Sequence, residues 1–154
     1  MKTIAAIIND AATAIAGDSA IATYIGTHFP GKTLTVYAGF DPSDPPGEEQ
    51  APYVVVTHGD SSYEVGTFAQ ERQPTFSVVW VVVDKTATTA SGVITKDGLT
   101  HADGLGMLIV AALQAKFGND HFAAAQYDLD TEGVVWFGGV NVTLHYQAGT
   151  TYEP

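Results

Sequence analysis

Several groups of residues in the sequence have types and spacings that could do chemistry. The stretch DLDTEG at 128–133 places carboxylates at positions one, three and five, and a glycine at position six, of a calcium-binding loop. That loop also needs a bidentate glutamate at position twelve, where this chain has Gly139. The flanking residues follow a strand pattern rather than a helix pattern. We therefore interpret the stretch as an acidic hairpin turn and predict no metal site.

The second candidate chemistry is nucleophilic catalysis at a serine. Ser19 and Ser61 each follow a Gly-Asp pair, and serine hydrolases combine such a serine with a histidine base and an aspartate. Neither serine has the strand-to-helix elbow pattern that exposes a nucleophile, so we interpret them as a helix cap and a turn. If the fold brought the remaining imidazole and carboxylate candidates together, they would form an enzyme or ligand-binding site: His58, Asp60, His101 and Asp103.

The composition argues against further classes of function. There is no cysteine, which excludes disulfides, thiol catalysis and cysteine-ligated zinc. The five histidines show neither HxH nor HExxH spacing. The formal net charge is −11, from 17 acidic and 6 basic residues, which opposes contact with nucleic-acid phosphates and with an anionic membrane. We predict no enzymatic activity, no catalytic residue, no cofactor and no membrane partner.

The elements that must position these residues are predicted from hydrophobic periodicity. Isoleucines at helical spacing predict an amphipathic helix over 3–16, followed by a short helical turn from Asp18 to Ile25. A second long helix is predicted to begin at Thr100, with a capping-box-like Thr-x-x-Asp, and to end at Gly118. Strands are predicted at 34–38, 52–60, 62–68 and 74–84, and as a closing hairpin over 126–147 with a bulge at Gly138-Gly139. This order predicts an α+β fold with a mixed, largely antiparallel sheet and two main helices packed on one face.

Two long segments interrupt this pattern, and we expect them to protrude from a single domain spanning 1–154. The segment at 39–51 is rich in proline, which lowers the entropy lost when a loop is immobilised, and it carries four acids and no base. Its partner would be a basic protein patch; a solvated crossover between strands is the alternative. The second segment is 85–98. The predicted partner-contact residues are Asp41, Pro42, Asp44, Pro45, Pro46, Glu48 and Glu49 in the first and Thr88, Ile94 and Lys96 in the second.

The second long helix has more apolar surface than one buried stripe requires. Its core stripe is Leu105, Leu108, Ile109, Ala112 and Leu113. Outside that stripe lie Met107, Val110 and Ala111. A helix that is apolar nearly all round is buried on more than one side. We therefore predict that these three residues face another subunit.

With these elements placed, the chain resembles the tail-terminator proteins of long-tailed bacteriophages, also called tail-completion or minor tail proteins. The resemblance covers nearly the whole chain as a pattern of elements. It is carried by IINDAATAIAGDSAIATYIG (7–26), PYVVV (52–56), FSVVWVVVD (76–84) and HADGLGMLIVAALQAKFG (101–118), followed by the terminal β pair. Head–tail connector proteins of similar size share much of this pattern.

The resemblance implies a small protomer that forms a homo-oligomeric, six-membered ring in the virion, assembled in the host cytoplasm. Such a ring sits on the head-proximal end of the tail tube, stops tube growth and presents a surface to the head connector. DNA passes through its lumen without specific binding, which an acidic protein permits. The family gives no catalytic residues to carry over. A head–tail connector or neck protein is the alternative role, and a small enzyme or ligand-binding domain is the alternative class.

Overall fold

A computed structural model describes residues 3–59, 74–118 and 122–145. The predicted strand at 62–68, with Asp60 and Ser61, lies outside these residues. A single-turn 3₁₀ helix occurs at Glu48–Gln50. In chain order the helices and strands are α1 (Ile4–Ala16), α2 (Ser19–His28), β1 (Thr35–Ala38), β2 (Tyr53–His58), β3 (Thr75–Val83), β4 (Ala87–Ala90), β5 (Val93–Lys96), α3 (Asp97–Phe117), β6 (Phe122–Glu132) and β7 (Val135–Leu144).

Within the described part of the chain, the main sheet has five strands in the order β1-β2-β3-β7-β6. Of the four strand pairs seen there, β1–β2 is parallel and the other three are antiparallel. Helix α1 packs on β1 and β2, helix α3 packs on β3, β6 and β7, and α2 packs on α1 and α3. The α+β class and the mixed, largely antiparallel sheet are therefore confirmed. We call the side of the sheet that carries the helices the helix face.

Strand alternation sends one set of side chains from each central strand into the core on the helix face. Val54 and Val56 of β2 are fully buried, and the core residues of β3 and β7 continue this layer across the sheet. The helices cover this layer on the helix face, because packing there buries their apolar stripes away from water. The other members of the layer are Phe76, Val78, Trp80, Val82, Val140, Val142 and Leu144 from the strands, and Ile7, Ile15, Leu105, Ile109 and Leu113 from the helices.

Both N-terminal helices begin at side-chain caps. The Thr3 hydroxyl accepts from the backbone N–H of Ala6, and the Asp18 carboxylate accepts from that of Ile21. Helix α2 extends to His28, three residues beyond the predicted end at Ile25. The extension is stabilised where the helix ends, because Phe29 is buried against the core and His28 stacks on another histidine ring.

Helix α3 begins at Asp97, three residues before the predicted start. The Thr100-x-x-Asp103 pair therefore lies inside the helix and does not cap it. Asp97 stands in the first turn, where a carboxylate interacts favourably with the helix dipole. Asp103 instead accepts a hydrogen bond of 2.9 Å from the Tyr127 hydroxyl. The capping motif was thus a wrong indicator, since Asp103 is engaged by a distant strand.

The segment at 85–98 is not the irregular loop that its small polar residues indicate. It contains a two-stranded β-hairpin, β4–β5, and its last two residues belong to α3. Ser91 and Gly92 form the turn with φ values of 52° and 78°, the two positive angles of a type I′ turn. We call residues 87–96 the short hairpin. Its first strand, ATTA, holds only alanine and threonine, and its second, VITK, has no alternation of apolar and polar residues, so neither strand shows the usual pattern.

The predicted bulge at Gly138-Gly139 is wrong, because the bulge lies on the neighbouring strand β6. The register of the β6–β7 pair shifts between Ala125 and Asp128, where Gln126 has a φ of 55°. Gly138 serves a different purpose, because a Cβ atom there would overlap the indole of Trp80. Its neighbour Gly139 has only ordinary van der Waals contacts around the same position, the nearest atom being 3.9 Å away.

This difference between adjacent glycines gives a stability prediction. Gly138→Ala should lower the free energy of unfolding by about 1–3 kcal/mol, because the methyl group must displace a buried indole. Gly139→Ala is the matched control and should change it by less than about 0.5 kcal/mol. Urea denaturation of the two variants measures both values. Equal destabilisation by both substitutions would show that the Trp80 contact does not set the requirement for glycine.

Candidate interaction surfaces

The segment at 39–51, which we call the arm, joins the parallel strands β1 and β2. It is held by local hydrogen bonds: the backbone N–H and hydroxyl of Ser43 donate to the Asp41 carboxylate at 2.9 and 2.6 Å. These donors, the hydroxyl first, hold the pKa of Asp41 below its usual value. The Tyr53 hydroxyl donates to the Pro46 carbonyl at 3.3 Å, which ties the middle of the arm to β2. The arm is therefore folded back on the sheet.

Between the arm and the first two strands lies an open groove of about 480 Å³. Tyr37 and Val55 line it from the sheet, and both belong to the face opposite the helices, since Val54 and Val56 occupy the helix face. The arm contributes Phe40, which is half exposed, and the carboxylates of Asp41 and Asp44. The groove thus combines aromatic and aliphatic surface with negative charge.

The predicted contact residues of the arm are accessible. Pro46 is half-buried. The exposed ones are Asp41, Pro42, Asp44, Pro45, Glu48 and Glu49. The sequence did not indicate that this segment would form one wall of a groove, because Tyr37 and Val55 come from other elements.

The short hairpin carries the most exposed aliphatic side chains among the described residues. Ile94 is 67% exposed and Val93 is 62% exposed. All eight residues of its two strands are exposed, and these include the predicted contact residues Thr88 and Lys96. Val93 was not among the predicted residues, although its position next to Ile94 in a polar segment was a usable signal.

The outer face of α3 is only partly as predicted. Met107 is 61% exposed and Ala111 is exposed, whereas Val110 is partly buried and packs against the core. Leu99, which was not among the predicted residues, is exposed as well. Residues four apart share one side of a helix, so Leu99, Met107 and Ala111 are the apolar members of one stripe, which the exposed Asp103 interrupts.

Among the candidate enzyme residues that the structure describes, His58 lies far from His101 and Asp103. His58 ends β2 and pairs with Phe76 near the start of β3. His101 contacts Asp84, just beyond the other end of β3. Eight residues of strand separate these positions, or roughly 26 Å at 3.3 Å per residue. Asp103 accepts its hydrogen bond from Tyr127, as described above.

His101 belongs instead to a small polar cluster that joins four elements. Its Nδ1 lies 2.6 Å from Asp84 Oδ2, and the backbone N–H and hydroxyl of Thr86 donate to Asp84 Oδ1 at 2.7 and 2.6 Å. The Trp136 indole donates to the Asp84 carbonyl, and the His28 ring stacks on His101 with a 4.6 Å centroid separation. Burial raises the pKa of Asp84, but the hydrogen bonds from Thr86 and His101 outweigh it and hold that pKa below its usual value.

The acidic stretch at 128–133 is the end of a hairpin, as interpreted from the sequence. Asp128, Asp130 and Glu132 lie on β6, and the turn to β7 follows immediately with Gly133 at a φ of 64°. Within residues 3–59, 74–118 and 122–145, no three histidine or carboxylate side chains are grouped as a metal ion would require.

No single helix in the described part of the chain is long and apolar enough to cross a membrane; the pair α1–α2, bent by 55°, meets only the length and composition criteria. In comparisons with known proteins, no family model and no curated protein sequence matches this chain. The resemblance to tail terminators therefore stays a hypothesis, and the surfaces described above must carry the functional argument.

The polar cluster gives a prediction with a defined pH dependence. Asp84→Asn removes the charge that His101 and Thr86 stabilise, so the free energy of unfolding at pH 7 should fall by about 1–2 kcal/mol. A carboxylate whose pKa is lower in the folded state stabilises the fold above about pH 4 and loses that effect as the pH falls through the folded pKa. The gap between variant and wild type should therefore close in acid.

Urea denaturation at a series of pH values measures this gap. Asp44→Asn, at an exposed arm position, is the matched control and should differ little from wild type at any pH. A stability gap for Asp84→Asn that is as large at pH 3 as at pH 7 would contradict the conclusion that the ionised Asp84 carboxylate stabilises the fold.

Proposed function

We propose that this protein is a structural assembly protein of a long-tailed bacteriophage, a tail terminator. In this role it forms a ring on the head-proximal end of the tail tube, stops polymerisation of the tube protein and provides the joint to the head connector. The order of helices and strands agrees with the pattern on which the resemblance rests. The six-fold stoichiometry and the location in the virion come from that resemblance.

The observation that carries the proposal is the concentration of exposed apolar side chains on adjoining elements. Among the described residues, four of the seven exposed large hydrophobics lie between positions 93 and 107, on the short hairpin and the outer stripe of α3. These residues lie on consecutive elements of the chain, and exposed apolar patches are typical of protein–protein contact sites. The four are Val93, Ile94, Leu99 and Met107.

The charge of the chain agrees with the role in DNA passage. A net charge of −11 keeps a ring lumen from gripping the phosphate backbone, so DNA can pass without specific binding. The same charge favours basic patches on the tube protein or on the head connector as partners for the arm. A head–tail connector or neck protein would use the same surfaces, and the tube assay below separates the two roles.

One observation favours a second candidate, a ligand-binding domain. The groove beside the arm has a volume within the ~300–1,000 Å³ range of small-molecule sites and combines aromatic side chains with carboxylates. The histidines and aspartates named from the sequence do not contribute to it, however. A small cation would be the chemically suitable ligand, and saturable stabilisation of the wild type by such a compound would favour this candidate.

The proposal is tested by polymerising the phage's tail tube protein in the presence of this protein. We expect short tubes that carry a ring at one end in negative-stain electron microscopy. Met107→Asp should abolish capping while the circular dichroism spectrum stays unchanged, because it places a charge in the exposed apolar stripe. Ala22→Asp adds the same charge to an exposed position of another helix, α2, and should leave capping intact. A wild-type protein that stays monomeric and neither shortens nor caps tubes would overturn the proposal.

The arm gives a separate prediction. Deleting residues 43–49 leaves seven residues between Ala38 and Tyr53, which span up to roughly 24 Å. The strand ends they connect are only about 11 Å apart, from three strand rises and one interstrand spacing. The fold should therefore survive, with thermal unfolding still cooperative, while tube capping is impaired.

A seven-residue Gly/Ser replacement of 43–49 is the control for arm length. The replacement removes Pro45, Pro46 and three of the four acids of the arm but keeps the length of the arm, so it should impair capping as the deletion does. Loss of cooperative unfolding in the deletion would show that the arm is needed for the fold. Normal capping by both variants would show that the arm contacts no partner.

A further inference from the structure

The short hairpin has all the residues of its two strands exposed to solvent. Its two strands form a sheet of their own, apart from the five-stranded sheet, and every strand residue is exposed. A two-stranded hairpin alone in water is marginally stable and gains stability when a surface covers it. This hairpin therefore has the properties of an element that packs on another molecule.

The tip of the hairpin is apolar on both faces. Ala90 pairs with Val93, and Thr89 pairs with Ile94. Consecutive residues of a strand point to opposite faces, so Val93 and Ile94 lie on opposite sides of the hairpin. Such a tip can be buried on both sides only by insertion between two walls.

The groove beside the arm offers two walls of suitable chemistry. One wall is the face of β1 and β2 opposite the helices, with Tyr37 and Val55. The other wall is the arm, with the exposed ring of Phe40 and the carboxylates of Asp41 and Asp44. An aliphatic tip would remove the aromatic surface from water, and cationic groups beside the tip would meet the carboxylates.

The charges of the short hairpin complement those of the groove. Lys85 lies just before the short hairpin and Lys96 is its last residue. Two of the six basic residues of the chain therefore lie at this element. The carboxylate of Asp84, next to Lys85, is held by its own chain through Thr86 and His101, and Asp97 is half-buried in the first turn of α3. Two copies with a net charge of −11 each repel one another, so association requires local attraction of this kind.

We propose that the short hairpin of one copy inserts into the groove of a second copy, with Val93 and Ile94 against Tyr37 and Phe40 and with Lys96 beside Asp44. The two surfaces differ, and each copy carries both, so the contact is head-to-tail and propagates from copy to copy. The closure of this series of copies into a ring on the tail tube rests on the proposed function. The contact between two copies does not.

A cysteine pair tests the contact directly, because the chain has no native cysteine. Pro45→Cys places a thiol in the groove lining and Ile94→Cys places one on the hairpin tip. When the two single variants are mixed and oxidised with diamide, we expect a disulfide-linked dimer that contains one of each. A size tag on one variant distinguishes this dimer from either homodimer on a non-reducing gel.

The control mixture pairs Ile94→Cys with Thr27→Cys, an exposed position on α2. It should form less than about a tenth of the crosslinked dimer, since random collision reaches all exposed thiols alike. Equal crosslinking in both mixtures, or none with Pro45→Cys, would overturn the proposal.

Exchange of charges supplies an independent measurement. Lys96→Glu alone and Asp44→Lys alone should each weaken self-association by about tenfold in analytical ultracentrifugation. A mixture of the two variants should recover it, because the altered hairpin then meets the altered groove. Lys32→Glu, an exposed change of equal charge outside the hairpin, is the control for net charge and should not be rescued by Asp44→Lys.

The outcomes separate this contact from the tail-terminator role. Rings that cap tubes without the Pro45–Ile94 crosslink would show that copies meet through another surface, and the proposed function would stand. A specific crosslink in a protein that never caps tubes would establish the contact and exclude the terminator role.

Discussion

The indole of Trp80 is the contact on which the arrangement of the other elements depends. It is fully buried on β3 and donates a hydrogen bond of 2.8 Å to the Ala102 carbonyl of α3. Close approach requires glycine on both sides, since a Cβ at Gly106 of the helix or at Gly138 of β7 would overlap the ring. A buried polar N–H must find an acceptor, so this bond fixes the position of α3 along the sheet as well as its distance from it.

The exposed surfaces follow from that position of α3. Because the short hairpin leads directly into the first turn of the helix, fixing α3 also fixes where the hairpin leaves the domain. The Asp84–His101 contact strengthens the same junction from the end of β3. The outer stripe of the helix, with Met107 at its centre, is left facing away from the core. The apolar surface that carries the functional proposal is thus a consequence of core packing and not of a mobile segment.

Elements with strong hydrophobic periodicity could be predicted from the sequence. Element boundaries and surfaces that depend on tertiary contacts could not. The long β3, the isoleucine helix and the alternation of β7 were predictable, because burial of one face imposes a period on the residues. The start of α3 was not, since Asp103 is engaged by Tyr127, a contact between residues far apart in the chain. The short hairpin was not predicted, because the small residues of its first strand show no alternation of apolar and polar positions. The groove could not be predicted at all, because its walls come from separate segments that meet only in the fold.

The central claim is that this protein acts through contacts with other chains and that these contacts place it at the end of a tail tube. His58 lies at the opposite end of β3 from His101, whereas four of the exposed apolar residues lie within positions 93–107. Cryo-electron microscopy of tail tubes assembled with the protein tests this most directly. The account predicts a ring of copies at one tube end, with density for the short hairpin of each copy in contact with its neighbour. Bare tube ends at saturating protein would contradict it.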